Sequence, residues 1–371
     1  MSHPTPASLL TQMQVNPKDR PLYTDDQIKT YLKRINLPEQ YYTSPILSEK
    51  SLARTRTHGL PLLEALVRYH VCNIPFENLE IHYSKNKLIT LEPYLLYAKF
   101  AGSNGRGGRC MENNTFFATV LRSLGYDVRN CGGRVSRMMS SNPEIREHQG
   151  ETYDGWNHML NLVRLDGKRW VVDVGMGVFG LNLPVPLEDG FECESIAPRR
   201  VRLQRRVIPE HASDMVDESE AQKMWCYDAC FSPSDDPQVW TPVYCFTETE
   251  FLPQDYEMMS WFTSTHPSSF FTKLVLCMKM EMDEAGEKIV GDISLLRDRV
   301  RRSHGPMVGG RKDVLRVLET EEDRAQALRE LFGLELTEEE RQGIRPENAL
   351  AGKAYANIEE ETDMHRVSIT Q

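Results

Sequence analysis

At Tyr126 the spacing of apolar residues along this chain changes, and that change limits what the chain can fold into. Upstream, segments 25–34 and 59–71 carry apolar residues at three- and four-residue intervals, the period of helices with one buried face. Downstream, segments 126–135, 156–165, 168–174, 201–207, 226–231 and 243–246 are short and β-rich, with turn residues between them. The first third therefore reads as helical and the middle as a sheet or a barrel. Beyond Ser260, segments 273–282 and 287–296 read as strands and the charge-rich 319–331 as a helix. Segment 136–155 reads as a long polar loop and 209–221 as a second, acidic one. The last twenty residues are polar, the composition of a disordered tail.

With 371 residues the chain exceeds one typical domain, which predicts two or three structural units. A net charge of −10 argues against a nucleic-acid-binding surface. No stretch approaches the roughly 20 apolar residues of a membrane span. The start Met1-Ser2-His3-Pro4-Thr5-Pro6 lacks the apolar core of a signal peptide, and a cytoplasmic protein is expected. Eight scattered cysteines read as reduced thiols rather than a disulfide framework.

One of those cysteines is set apart by its surroundings. In Arg106-Gly107-Gly108-Arg109-Cys110-Met111-Glu112-Asn113-Asn114, Cys110 follows a glycine-rich bend. Phe117, Val120, Leu121 and Leu124 then recur at helical spacing and Gly125 offers a stop, so Cys110 is predicted in the first turn of a helix. There the backbone dipoles favour a thiolate over a thiol. The bare glycine backbone is expected to offer N–H groups to a developing oxyanion.

A cysteine nucleophile needs a base within reach and a third group to orient that base. The segment from Trp156 to Val174 supplies both. Asp166-Gly167 is a two-residue hairpin signal that pairs Leu165 with Lys168 and, counting back, Leu160 with Asp173 and His158 with Gly175. His158 and Leu160 share a face, so Asp173 becomes the diagonal neighbour of His158, at about 7–8 Å between backbones, a gap that side chains bridge. Each residue alone has an ordinary explanation: Cys110 as a buried structural thiol, His158 as filler in a strand, Asp173 as a strand-end cap. Together they point to nucleophilic catalysis.

Other constellations carry less. Cys226 and Cys230, with Cys245, His211 or His266, have a CxxxC spacing and no second pair, which argues against a zinc site, and no metal is expected. The glycines from Gly102 to Gly108 lack the ending of a P-loop. The run Arg199, Arg200, Arg202, Arg205 and Arg206 reads most simply as the solvated face of a strand, with phosphate contact as the minority reading.

The chain resembles the arylamine N-acetyltransferases, and the similarity runs from about Tyr31 to beyond Phe332-Gly333-Leu334. Tyr31-Leu32-Lys33-Arg34-Ile35 is similar to their N-terminal signature, Pro75-Phe76-Glu77-Asn78-Leu79 to their PFENL element and Arg106 to Cys110 to their RGGxC motif. Trp156-Asn157-His158-Met159-Leu160, Val172-Asp173-Val174-Gly175-Met176-Gly177 and Thr265-His266-Pro267-Ser268-Ser269-Phe270 follow in the family's order. The resemblance implies an α+β fold: an N-terminal helical bundle over 1–125 carrying the nucleophile, a central antiparallel β-barrel over 126–246 carrying the histidine and aspartate, and a C-terminal α/β lid with a polar tail over 247–371. It implies a papain-like catalytic triad of Cys110, His158 and Asp173 and a ping-pong transfer. Cys110 takes an acetyl group from acetyl-CoA as a thioester and passes it to a small aromatic amine, hydrazine or arylhydroxylamine. No tightly bound cofactor is implied, coenzyme A thioester being a co-substrate, and no membrane partner.

By position, Gly155, Phe262 and Ser268 would lie against coenzyme A, with Phe262 beside the adenine or the pantetheine arm. Met176 stands where the family commonly has an aromatic residue, which bears on the shape of the acceptor pocket. The two long insertions and the C-terminal region resemble the longer eukaryotic microbial, fungal members, some of which use malonyl-CoA. An acidic acyl chain would need a cation near Cys110, with Arg109 or Arg106 as candidates. Two other readings keep the same residues: a papain- or transglutaminase-type thiol hydrolase, and a binding module that has kept the fold without the activity.

Overall fold

The computed structural model describes residues 20–140, 143–212, 214, 221–231, 239–304 and 311–350. The polar tail, the first six residues and part of the 209–221 loop lie outside the described residues.

The first third is helical, as its periodicity predicts. Helix α1 (Asp25–Arg34) starts at Thr24, whose hydroxyl accepts from the Gln27 amide while the Gln27 side chain returns to the Thr24 N–H, a reciprocal cap. Helix α2 (Arg56–Asn73) buries Leu62, Leu63, Leu66 and Val67. Helices α3 (Leu79–Tyr83) and α4 (Pro93–Phe100) lead to α5 (Cys110–Ser123). Helix α5 stops where the sequence predicts, with Leu124 as the cap residue and Gly125 at φ +95°. Phe116, Phe117, Val120 and Leu121 are fully buried, each contributing roughly 1.5–3 kcal/mol of apolar transfer free energy. This embedding fixes the helix that carries the thiol.

The middle of the chain forms an eight-stranded antiparallel sheet of order β5-β4-β3-β2-β9-β8-β7-β6. Its strands are β2 (Asp127–Val135), β3 (His158–Leu165), β4 (Lys168–Val172), β5 (Val185–Pro186), β6 (Glu192–Glu194), β7 (Arg200–Val207), β8 (Lys223–Cys230) and β9 (Trp240–Glu250). The sheet is curled around one apolar core containing Leu160, Leu162, Tyr227, Tyr244 and Phe246. Among the described residues no ladder joins β5 to β6, so the expected barrel is a half-barrel with two short edge strands. The Asp166-Gly167 hairpin forms with both residues left-handed (φ +47° and +78°) and pairs Leu165 with Lys168.

A second, five-stranded sheet has the order β1-β10-β11-β12-β13. Its strands are β1 (Phe76–Glu77), β10 (Leu276–Met282), β11 (Ile289–Leu296), β12 (Arg299–His304) and β13 (Arg311–Val317). Strand β1, from the helical third, pairs Phe76 with Met278 and Glu77 with Cys277, so the head of the chain is hydrogen-bonded to its last third. Helices α7 (Pro253–Thr265) and α8 (Phe270–Lys273) precede this sheet, and α9 (Glu321–Ala327) and α10 (Glu338–Gln342) follow it.

Two expectations need correction. Segment 136–155 is not all loop: a 3-10 turn at Arg137–Met139 and helix α6 (Pro143–Gln149) lie in it. Strands β12 and β13 have no counterpart in the sequence reading. On β12 only Val300 and Ser303 are buried, so no apolar alternation marks it.

Candidate active site

Cys110 opens α5 and is 5% exposed. It lies among Met111, Met159, Tyr256 and Met259, with Phe76, Leu91, Trp156 and Phe251 packed around them. Its Sγ lies 3.7 Å from the Asn157 carbonyl oxygen. Strand β3 begins at the next residue, His158, which is buried beside the thiol. His158 Nε2 is 2.8 Å from Asp173 Oδ2, which leaves Nδ1 as the nitrogen for the Cys110 side.

The contact between His158 and Asp173 forms by a route slightly different from the hairpin count. The β3–β4 ladder ends at Asn161 and Val172, so Asp173 sits one residue past the last pair. Two donors hold its Oδ1 there: the Gly175 N–H at 2.8 Å and Asn114 Nδ2 at 2.8 Å. Asn114 also donates to the Met159 carbonyl at 2.7 Å, and its Oδ1 accepts from the Val174 N–H at 3.2 Å. Lying one helical turn after Cys110, Asn114 shares the face of α5 that carries the thiol. Sequence reasoning missed it, although that spacing was the available signal.

Electrostatics couples the three groups. Burial works against the imidazolium of His158, but the Asp173 charge, its hydrogen bond and the Cys110 side chain prevail and raise the pKa to about 10. Burial likewise opposes the Asp173 carboxylate, and His158, Asn114 and the Gly175 amide together lower its pKa. The Tyr244 ring stands 4.8 Å from the His158 ring, and burial followed by the nearby Asp173 charge pushes its phenol well above the usual range.

The bend before Cys110 is not the bare oxyanion cradle that the glycines suggest. The Gly107 N–H donates to Glu77 Oε1 at 3.3 Å, the Gly108 N–H to the Pro75 carbonyl at 3.3 Å and the Arg109 N–H to Glu112 Oε2 at 3.0 Å. Glycine is needed at 107 for close approach, since a Cβ there would lie 1.9 Å from the Pro75 oxygen. Gly175 likewise does not leave room beside the imidazole; it packs on the nucleophile, and a Cβ would lie 2.7 Å from Cys110 Cα. The ladder partner of His158 is Gly133 of β2.

The two candidate cations are engaged elsewhere. Arg106 binds Glu77 at 3.0 Å, Glu80 at 3.3 Å and Glu340 of α10. The Arg109 guanidinium is directed at α7, where Ser260, Thr263 and Ser264 accept its hydrogen bonds. Lys99 links the two halves, pairing with Glu80 at 3.5 Å and Glu112 at 2.8 Å, and Glu112 lies 3.6 Å from Arg109 Nε. A chain of alternating charge thus runs from Glu340 to Arg109 past the nucleophile.

Of the residues assigned to coenzyme A, Gly155 is exposed, with open space where a Cβ would stand. Phe262 is 46% exposed and stacks on His266 at 4.5 Å, and Ser268 Oγ is 2.6 Å from His266 Nδ1. Met176 is half-buried against the half-barrel core. The β7 arginines are mostly paired within the protein, Arg202 and Arg206 with Asp228 and Arg200 with Glu192. Cys226 and Cys245 face each other across the β8–β9 ladder, and no metal-holding group occurs among the described residues.

Comparison with known proteins identifies the family. A sequence model described as N-acetyltransferase matches residues 59–341. The chain belongs to the arylamine N-acetyltransferase family. It is 55% identical over 346 residues to N-malonyltransferase FDB2 of Fusarium pseudograminearum, covering 93% of this chain and 98% of that one. The family fold appears in the solved arylamine N-acetyltransferase from Mycobacterium abscessus, with a TM-score of 0.65 at 24% identity over 87% of this chain and 96% of that one. It appears again in the Mycobacterium marinum arylamine N-acetyltransferase in complex with CoA, with a TM-score of 0.62 at 24% identity over 85% and 97%. As a family member the chain is an acyltransferase. No helix among the described residues is long and apolar enough to cross a membrane.

Proposed function

We propose that this chain transfers a malonyl group from malonyl-CoA to a small aromatic amine through a thioester on Cys110. The observation that carries the mechanism is the buried Cys110–His158–Asp173 arrangement, with His158 bonded to Asp173 at 2.8 Å. Because His158 holds its proton to about pH 10, it faces the Cys110 sulfur as an imidazolium at neutral pH. With His158 protonated, Cys110 reacts as the thiolate: its sulfur attacks the thioester carbonyl, the bond between the acyl carbon and the coenzyme A sulfur breaks, and the leaving thiolate takes the proton from His158. The neutral imidazole then accepts a proton from the amine as its nitrogen attacks the acyl-enzyme, and the Cys110 thiolate departs. A thioester suits this resting point, since it stays activated toward an amine.

The malonyl donor is favoured over acetyl by the 55% identity to a protein named N-malonyltransferase, with nearly full coverage of both chains. Neither candidate cation is offered to the malonyl carboxylate, because Arg106 is engaged by three carboxylates and Arg109 by α7. For the donor, the exposed groups Phe262 and Ser268 with open Gly155 support a coenzyme A arm lying between α7 and the 154–157 segment.

The test is incubation with malonyl-, propionyl- or acetyl-CoA without an acceptor, followed by peptide mass mapping. A malonyl adduct on the Cys110 peptide that disappears when an arylamine is added is the expected result. Faster labelling from acetyl-CoA would return the donor assignment to acetyl. Absence of any adduct, with cleavage of a peptide ester, would identify a thiol hydrolase instead.

A further inference from the structure

We propose that Arg109 is a positioning residue that bolts the nucleophile's bend to helix α7, setting the outer face of that helix at a fixed distance from Cys110. The proposal rests on the acyl-CoA reading above, in which α7 supports the donor. Arg109 is 2% exposed, and the hydrogen bonds of its guanidinium go to hydroxyls of α7. Nη1 donates to Thr263 Oγ1 at 3.0 Å, and Nη2 donates to Ser260 Oγ at 3.1 Å and Ser264 Oγ at 3.5 Å. Spaced three and four residues apart, these hydroxyls lie on one face of α7.

The hydroxyls are built to accept. Thr263 donates its own proton to the Met259 carbonyl at 3.0 Å and Ser264 donates to the Ser260 carbonyl, so their lone pairs are left for the guanidinium. The Phe271 ring of α8 lies 5.3 Å from the guanidinium carbon and favours the cation electrostatically. On the other side Glu112 fixes the Arg109 backbone by its N–H and faces Nε at 3.6 Å. One side chain therefore joins the N-cap of α5 to the C-terminal half of α7.

The opposite face of α7 faces solvent. Met258 is 75% exposed, Trp261 69% and Phe262 46%, an apolar strip left open among the described residues. Rotation or withdrawal of α7 moves that strip relative to the thiol, and Arg109 resists it. A role as receptor for an acyl carboxylate fits less well, because three of the guanidinium N–H groups already bond to α7 hydroxyls and the Nε side faces the Glu112 carboxylate at 3.6 Å.

The experiment uses the full-length enzyme with malonyl-CoA and acetyl-CoA. Two variants attack the bolt from opposite ends: Arg109→Met, and the combined Ser260→Ala, Thr263→Val and Ser264→Ala, which leaves the neighbour of Cys110 intact. Both are expected to raise KM about tenfold for both donors while kcat changes less than about threefold. Alkylation of the Cys110 peptide by iodoacetamide at pH 7 should stay within about twofold of wild type, since His158 and Asp173 are untouched. Unchanged KM in both variants overturns the proposal. So does a loss confined to malonyl-CoA, which would make Arg109 a reader of the acyl carboxylate. If Arg109→Met fails to fold, the α7 variant alone decides. If wild-type enzyme forms no acyl-Cys110 with any donor, the acyl-CoA reading has failed before the variants are compared.

Discussion

Asn114 Nδ2 lies 2.8 Å from Asp173 Oδ1 and ties the helix that carries the thiol to the carboxylate that orients the histidine. The same amide group accepts from the Val174 N–H, so one side chain reads the position of both sides of the site. Preorganisation of this kind places reacting groups before substrate arrives, and small errors in it are costly in rate.

Asn114→Ala is expected to lose both stability and rate. It deprives the buried Asp173 oxygen and the Met159 carbonyl of a donor, at about 1–3 kcal/mol. Urea unfolding gives the first quantity and single-turnover malonylation of the acceptor gives the second. A variant with full stability and a full rate would show that the Gly175 amide alone holds Asp173.

Asp173→Asn should change the protonation of His158. Without the carboxylate charge, burial becomes the dominant influence on the imidazole, and its pKa falls below the ordinary 6.5. Turnover at neutral pH drops by orders of magnitude, as the ring also loses its tautomer control. The stability difference has its own signature. The raised pKa of His158 contributes fully below the unfolded value of about 6.5 and is lost as pH climbs toward about 10, whereas the lowered pKa of Asp173 contributes above about 4 and is lost on acidification. The stability gap between wild type and variant is therefore widest from about pH 4 to 6.5. Denaturant titrations at pH 6 and pH 9.5 check this, and a gap that widens with alkali contradicts the assignment.

Cys110→Ser keeps the size of the side chain and removes the thiolate. The variant should bind malonyl-CoA, form no stable acyl-enzyme and transfer at less than about a thousandth of the wild-type rate, since a hydroxyl is a poor nucleophile at its free pKa. Mass mapping and product formation measure it together. Near-normal transfer would rule out the covalent route.

What the sequence makes legible here is local. The period of Phe117, Val120 and Leu121 and the stop at Gly125 are enough to put Cys110 at a helix start, and Asp166-Gly167 is enough to bring Asp173 toward His158. Both are statements about residues within one turn or one hairpin. The partners of Arg109 lie about 150 residues away on α7, and nothing in the spacing of Ser260, Thr263 and Ser264 announces an arginine. The use of the bend's amides was hidden for the same reason: Glu77 and Pro75 belong to a segment about 30 residues upstream that docks beside the bend. Strand β13 was illegible because Val314 and Val317 are exposed at a sheet edge, so its side chains carry no burial pattern.

Two glycines of the site should respond in opposite ways to the same change. Gly175→Ala places a Cβ 2.5 Å from Asn114 Nδ2, 2.7 Å from Cys110 Cα and 2.8 Å from the Cys110 carbonyl oxygen, so helix α5 or the 173–175 turn must shift. Overpacking of this kind costs about 1–3 kcal/mol, and displacement of the nucleophile by a fraction of an ångström should lower kcat/KM about 10- to 100-fold. Gly155→Ala meets nothing within 4 Å and leaves the fold alone. Its melting temperature should match wild type, so any rise in KM for malonyl-CoA reports contact between the added methyl and the donor. Wild-type KM together with wild-type stability in Gly155→Ala would remove that residue from the coenzyme A site, while wild-type activity in Gly175→Ala would mean that the Cys110 helix tolerates displacement.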